Sequence, residues 1–155
     1  MQNTNTNSDA SAKNYLAELV YTKDDLAKTS EEVDLLEKAL YYTDPLIFEK
    51  TLKEEVGESF SLVLKALFAK NQDKKQILKD LKASLANFQT LDLKIAFEPS
   101  QATLEKITTW AKANLGELVV VNCEFDPQII AGAEISFAGK YTDASLRKVL
   151  ADVVI

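Results

Sequence analysis

Histidine is absent from these 155 residues, and cysteine occurs once. The first absence removes the commonest general base and the commonest metal ligand. A zinc site needs several Cys or His ligands, which the chain does not supply. The lone thiol excludes an intrachain disulfide and fits a reducing compartment. With 4 glycines and 3 prolines, the chain has no glycine cluster of the kind that opens a helix and cradles a phosphate. No apolar run approaches the roughly 18 to 20 residues that span a bilayer, so no direct membrane insertion is expected. The N-terminus lacks the basic start and apolar stretch of a signal peptide, and the arginines of a transit peptide. Residues 1–10 are expected as a disordered lead, and the cytoplasm is the expected compartment. No catalytic residue, cofactor or metal is expected.

What the chain does have is enough apolar material for a core, at 46% hydrophobic residues. The net charge of −6 is uneven: residues 1–60 hold 13 acidic and 6 basic side chains, the remainder 11 and 12. An acidic half argues against nucleic acid and against anionic lipid, both of which require clustered Lys and Arg. It suits a partner segment of positive charge.

The apolar period changes near Leu91. Before it, the spacing is helical and predicts a bundle of short helices over residues 11–89. A first helix is expected over Ala12–Tyr21, with Tyr15, Leu16, Leu19 and Val20 along one side. Thr22 and Asp25 cap a short turn carrying Leu26. Thr29 and Glu32 have capping-box spacing and predict a helix start bearing Val33, Leu36 and Leu40. Asp44-Pro45 is a polar cap followed by proline at the first helical position. Gly57 marks a break before Ser59, a cap for a helix to Ala69 with Phe60, Val63, Leu64, Leu67 and Phe68. The last helix is expected over Asp73–Phe88.

From residue 90 to 155 the pattern predicts a small β-α-β-β-α domain with a three-stranded mixed sheet, making the chain α+β. Leu91, Leu93, Ile95 and Phe97 alternate at strand period. Ser100 caps a helix carrying Leu104, Ile107, Ala111 and Leu115, and Gly116 ends it. Val119, Val120 and Val121 predict a strand buried on both faces, hence a central one. Ala133, Ile135 and Phe137 alternate with Glu134 and Ser136 in a third strand. Ala138-Gly139-Lys140 turns the chain, and Asp143 caps a helix with Leu146, Val149 and Leu150.

Few side chains invite chemistry. Cys123 sits in a valine-rich strand without a base, so it reads as packing rather than as a nucleophile. Asp126-Pro127 reads as a turn opener, with the carboxylate accepting a backbone amide. Gly132 reads as an unusual backbone angle or a close approach at the strand start. Asp143 and Ser145 read as a helix N-terminus. Arg147, the one arginine, is either a partner contact or a solvated charge. Glu31-Glu32 and Glu54-Glu55 read as solvated pairs rather than acid–base machinery. Trp110 is either core or an interface anchor.

The Val119-Val-Val-Asn-Cys-Glu-Phe-Asp-Pro127 run, the Ile129-Ile-Ala-Gly-Ala-Glu-Ile135 element and the Asp143-x-Ser145-Leu146-x-x-x-Leu150 helix start resemble, in order and spacing, the C-terminal signature of one family. It is the delta subunit of F-type ATP synthases, related to the mitochondrial oligomycin-sensitivity-conferring protein. With the preceding strand and helix the likeness covers roughly 40% of the chain. Asp126, Pro127, Gly132, Asp143, Ser145 and Leu146 are its motif positions here, and Ala144 replaces the usual Gly. Gly57 to Asn71 looks like the fifth helix of the family's six-helix bundle. The resemblance implies a non-catalytic stator subunit within a hetero-oligomeric complex, binding no nucleotide. It implies N-terminal helices of the alpha subunits docked on the bundle, and the C-terminal end of the b subunit met by the C-terminal domain. The chain is then peripheral on the inner face of the cell membrane. The partner-binding candidates that follow are Tyr15, Leu16, Leu19, Phe60, Val63 and Leu67. Two alternatives stand beside this reading: an acidic, non-enzymatic adaptor module binding a partner helix, and a small enzyme using carboxylates alone.

Overall fold

The computed structural model describes residues 6–70 and 73–153, and the chain divides into two compact units. The first holds the chain up to Val20 together with Asp25–Asn87; the second holds Tyr21–Asp24 and the chain from Phe88 onward. Helices make the first unit, and helices with a mixed sheet make the second, so the α+β expectation holds.

Five helices form the first unit among the described residues: α1 (Thr6–Leu19), α2 (Lys23–Ala39, whose first two residues belong to the second unit), α3 (Pro45–Glu54), α4 (Glu58–Lys70) and α5 (Lys74–Ala86). The bundle is thus one helix short of the six that the resemblance implies. Of the expected 1–10 lead, residues 1–5 lie outside the described residues, while α1 already covers 6–10. Each helix has a readable cause. Asp44 Oδ1 accepts from Leu46 N at 2.9 Å, and Pro45 takes the first helical position. Asp73 Oδ1 likewise accepts from Gln76 N at 3.1 Å at the head of α5. Leu16, Val33, Leu36, Leu64, Leu78 and Leu81 are fully buried, one or more from each of α1, α2, α4 and α5. Phe48 of α3 meets Phe68 of α4 at 5.9 Å between ring centroids, within the range of favourable aromatic pairs.

The expected break within residues 22–29 does not occur. No Gly or Pro interrupts Lys23–Ala39, so the helix runs through Thr29, and Thr29 and Glu32 are buried inside it. Glu32 caps a different helix instead: its Oε1 accepts from Gly57 N at 2.9 Å, immediately before α4. Gly57, rather than Ser59, opens that helix, its carbonyl accepting from Ser61 N at 2.8 Å.

Among the described residues the second unit carries four strands rather than three: β1 (Gln89–Ile95), β2 (Val119–Phe125), β3 (Ala133–Phe137) and β4 (Lys140–Asp143), in the order β2-β1-β3-β4. The helix α6 (Gln101–Leu115) links the parallel pair β1 and β2, and α7 (Leu146–Val153) follows β4. The extra strand is short and exposed, so it has no apolar alternation to announce it. It pairs with β3 across Ala138 and Gly139, both at positive φ, which is the backbone of a tight right-twisted hairpin. Nor is β2 central; it lies at one end of the order. Val119, Val120 and Val121 are buried there all the same, because cover on the two faces of a strand does not require a neighbour on each edge. The edge is partly met by Tyr21, whose carbonyl accepts from Val121 N at 3.0 Å.

Register sorts the sheet into two faces. Leu91, Leu93, Val119, Val121, Cys123, Ile135 and Phe137 share one, and α6 packs over its β1–β2 half through Ile107, Ala111 and Leu115. Asp92, Asn122, Glu134, Ser136 and Tyr141 share the other, where Asn122 Nδ2 donates to Asp92 Oδ1 at 2.7 Å.

Candidate interaction surfaces

The six bundle side chains singled out for a partner divide by burial. Leu16, Phe60 and Leu67 are 0%, 3% and 6% exposed and serve the core; Tyr15, Leu19 and Val63 are half-buried and reach the surface. Apolar period alone marks the inward stripe of a helix, and the first residues off that stripe are the ones left for a partner. Tyr15 accepts a 3.4 Å hydrogen bond from Lys70 Nζ, tying α1 to the end of α4. Leu19 lines, with Asp25, Lys28, Glu32, Ser59 and Phe60, a pocket of about 290 Å³. Leu62, 62% exposed on α4, is an apolar surface residue that periodicity did not select, because it falls off the buried stripe.

The C-terminal motif residues come together as one clasp. Asp126 Oδ1 accepts from Gln128 N at 2.9 Å and Pro127 opens a single 3-10 turn, Pro127–Ile129. Ile130 follows at φ 69, with Ala131 N donating to Ile129 O at 2.8 Å: a tight three-residue turn that is strained for a β-branched residue. Gly132, at φ +86, presses against the chain ahead of α7; a Cβ on it would stand 2.2 Å from the Ala144 carbonyl oxygen. Leu146 N donates to Ala131 O at 2.8 Å, and Ala144 N to Ala133 O at 2.9 Å.

Asp143 lies in β4 and bonds Ser145 N at 2.9 Å, while Ser145 Oγ accepts from Lys148 N. Ser145 is therefore the residue that caps α7, and Asp143 orients the cap. The Ser145 hydroxyl and amide hold the Asp143 carboxyl below the usual carboxylate range. Arg147 Nη2 donates to Glu134 Oε1, answering the open question about the arginine: it pairs within the chain, with a carboxylate that is nearly buried. The outward side of α7 leaves Val149 and Leu150 exposed.

Cys123 packs beside the α6 core cluster, and burial pushes its thiol up, away from the thiolate a nucleophile needs. Among the described residues no group of three or more His, Cys, Asp or Glu is placed to hold a metal. Among them, too, no helix is long and apolar enough to cross a membrane.

Where α6 ends its cover of the sheet, a groove of about 390 Å³ opens, lined by Leu91, Leu93, Ile107, Trp110, Ile135 and Phe137 with Lys106 beside them. Trp110 is 57% exposed there. Periodicity counted Ile135 as inward, but α6 does not reach far enough across the sheet to cover it.

The sequence profile of the ATP synthase delta (OSCP) subunit matches residues 7–153, spanning both units. Among curated proteins, the "ATP synthase subunit delta" of Thermosipho africanus is 28% identical over 105 residues, covering 64% of this chain. The match spans 57% of that relative's length. With the bundle, the clasp and the profile running through both, the chain belongs to the ATP synthase delta (OSCP) subunit family.

Proposed function

We propose that this chain is a peripheral-stalk subunit of an F-type, proton-translocating ATP synthase, holding the catalytic head against the stalk so that rotation is coupled to ATP synthesis. The profile match through both units carries the reading. The bundle meets N-terminal helices of the alpha subunits, and the C-terminal unit meets the end of the b subunit. An amphipathic helix laid in an apolar groove is the docking mode that both contacts use. The role is one of contact and stiffness, without a reaction of its own. The chain sits at the inner face of the membrane through the complex.

The surface residues Tyr15, Leu19 and Val63 favour the alpha contact, since each reaches solvent from a helix anchored by buried neighbours. Calorimetric titration of the chain with an alpha N-terminal peptide, then with the soluble segment of the b subunit, tests the assignment. Saturable binding of each, without competition between them, is the expected outcome. Absence of binding to both refutes it.

A further inference from the structure

We propose that the segment Tyr21–Asp24 is a strap that closes the β2 edge of the sheet and keeps that edge from pairing with β2 of a second copy of the chain. The proposal goes beyond the stator reading and does not depend on it.

An edge strand offers unpaired backbone groups to any strand that meets it. The edges of this sheet are β2 and β4. β4 is guarded by its own composition: it has four residues, with Lys140 at one end and Asp143 at the other. Short length and charge are what blunt an edge. β2 has neither. It has seven residues, about 23 Å of strand, and Glu124 is its one charged side chain. Val119, Val120 and Val121 lead it, and β-branched runs of low charge are the ones that add readily to another strand. Two copies meeting across a two-fold axis would pair β2 with β2 antiparallel, and no charge within Val119–Cys123 opposes that pairing.

The strap supplies what β2 lacks. Thr22 forms a parallel bridge with Val121, and the Tyr21 carbonyl accepts from Val121 N at 3.0 Å. Amides alternate sides along a strand in a ladder. Those of Val120 and Asn122 face β1, so Val121 N is the outward donor in the middle of the uncharged run. Lys112 Nζ of α6 stands 4.2 Å from the centroid of the Tyr21 ring, within cation–π range, and holds the strap from a second element of the same unit. Thr22, Lys23 and Asp24 share a cavity of about 130 Å³ with Val121, Asn122 and Cys123, so the strap runs on beside β2. At Lys23 the chain turns into α2, and a helix offers no ladder to a further strand. The strap therefore presents exposed Lys23 and Asp24 where β2 alone presents a neutral edge. The bridge is one residue pair long, so the cover is local and opens below the free energy of global unfolding.

The test uses the full chain, with the Val121 amide as reporter. Tyr21→Ala combined with Thr22→Gly loosens the strap and leaves β2 intact. Lys112→Ala removes the ring contact from the α6 side and leaves the strap's own sequence unchanged. In dilute solution, hydrogen exchange at Val121 is expected to quicken about tenfold in the double variant, and by less in Lys112→Ala, with Val120 and Asn122 unmoved. On concentration, sedimentation is expected to show the variants forming dimers while the unaltered chain stays monomeric, and protection of Val121 returns in the dimer. A Val121 amide that already exchanges freely in the unaltered chain overturns the strap. Faster exchange without dimers overturns its guarding role, and so does a dimer that leaves Val121 unprotected, since it uses another surface. If the double variant loses its circular dichroism, Lys112→Ala carries the test: faster exchange with dimers supports the strap, and an unchanged Val121 overturns it.

Discussion

Among the glycines of the second unit, Gly132 is the one where an alanine meets the closest obstacle. The added methyl carbon would lie 2.2 Å from the Ala144 carbonyl oxygen, with Ser145 Cα 3.1 Å away. Both are backbone atoms, so no side chain can swing aside. Van der Waals contact asks for about 1 Å more, which displaces the link between β4 and α7. The residue also sits at φ +86, where an L side chain costs about 1 kcal/mol or more. Overpacking adds about 1 to 3 kcal/mol. The sum is about 3 kcal/mol, enough to unfasten α7 or a large share of the unit's stability.

Gly139 provides an internal control. It has φ +77, but a Cβ there would meet nothing within 4 Å, so Gly139→Ala carries the backbone cost alone. Urea unfolding followed by Trp110 fluorescence reads the second unit, which holds that tryptophan. With a slope of about 1 kcal/mol per molar urea for a unit of this size, the midpoint falls by about 3 M for Gly132→Ala and about 1 M for Gly139→Ala. Equal shifts for the two substitutions refute the contact argument, and an unshifted Gly132→Ala refutes the clasp.

Other expectations follow from single contacts. Glu32→Ala leaves the amide of Gly57 without its buried acceptor and costs about 2 kcal/mol; Glu32→Gln, which keeps an acceptor oxygen, costs less than half of that by circular dichroism in urea. Asp143 has its carboxyl lowered in the folded chain by Ser145, so its stabilising contribution is complete above the unfolded value of about 3.9 and is lost as pH falls through the lower folded value. The stability gap between the chain and Asp143→Asn is therefore constant near neutrality and closes only in acid below about pH 4; a gap that closes between pH 5 and 7 contradicts the assignment. Val63→Asp places a charge on the half-buried side of α4 and weakens alpha-peptide binding about tenfold, while a titration with the b segment is unaffected.

Local chemistry made much of this fold legible. Asp44-Pro45, Ser100 and Asp126-Pro127 are short-range devices, and each caps or turns where its residues say it should. The misreadings arose where a distant partner decides. Glu32 has the spacing of a local cap but is held by Gly57, 25 residues away. Glu134 reads as an outward residue, yet it is buried beneath Arg147, while Ile135 is exposed because no helix of its own unit covers that half of the sheet. β4 is stabilised by pairing with β3 rather than by its own burial. For the surfaces, apolar spacing mixed core residues such as Leu16, Phe60 and Leu67 with half-buried ones among the candidates, because a buried stripe and its edge differ by only one position on a helical turn.

The proposed stator role is one of coupling. Membrane vesicles stripped of this subunit and given back the purified chain are the direct test, with ATP-driven proton uptake compared with ATP hydrolysis. Stripped vesicles are expected to hydrolyse ATP without sustained proton uptake, and adding the chain to restore uptake without raising hydrolysis by the free catalytic head. Proton uptake that is already complete in stripped vesicles, or that stays absent after the chain has rebound, contradicts that role.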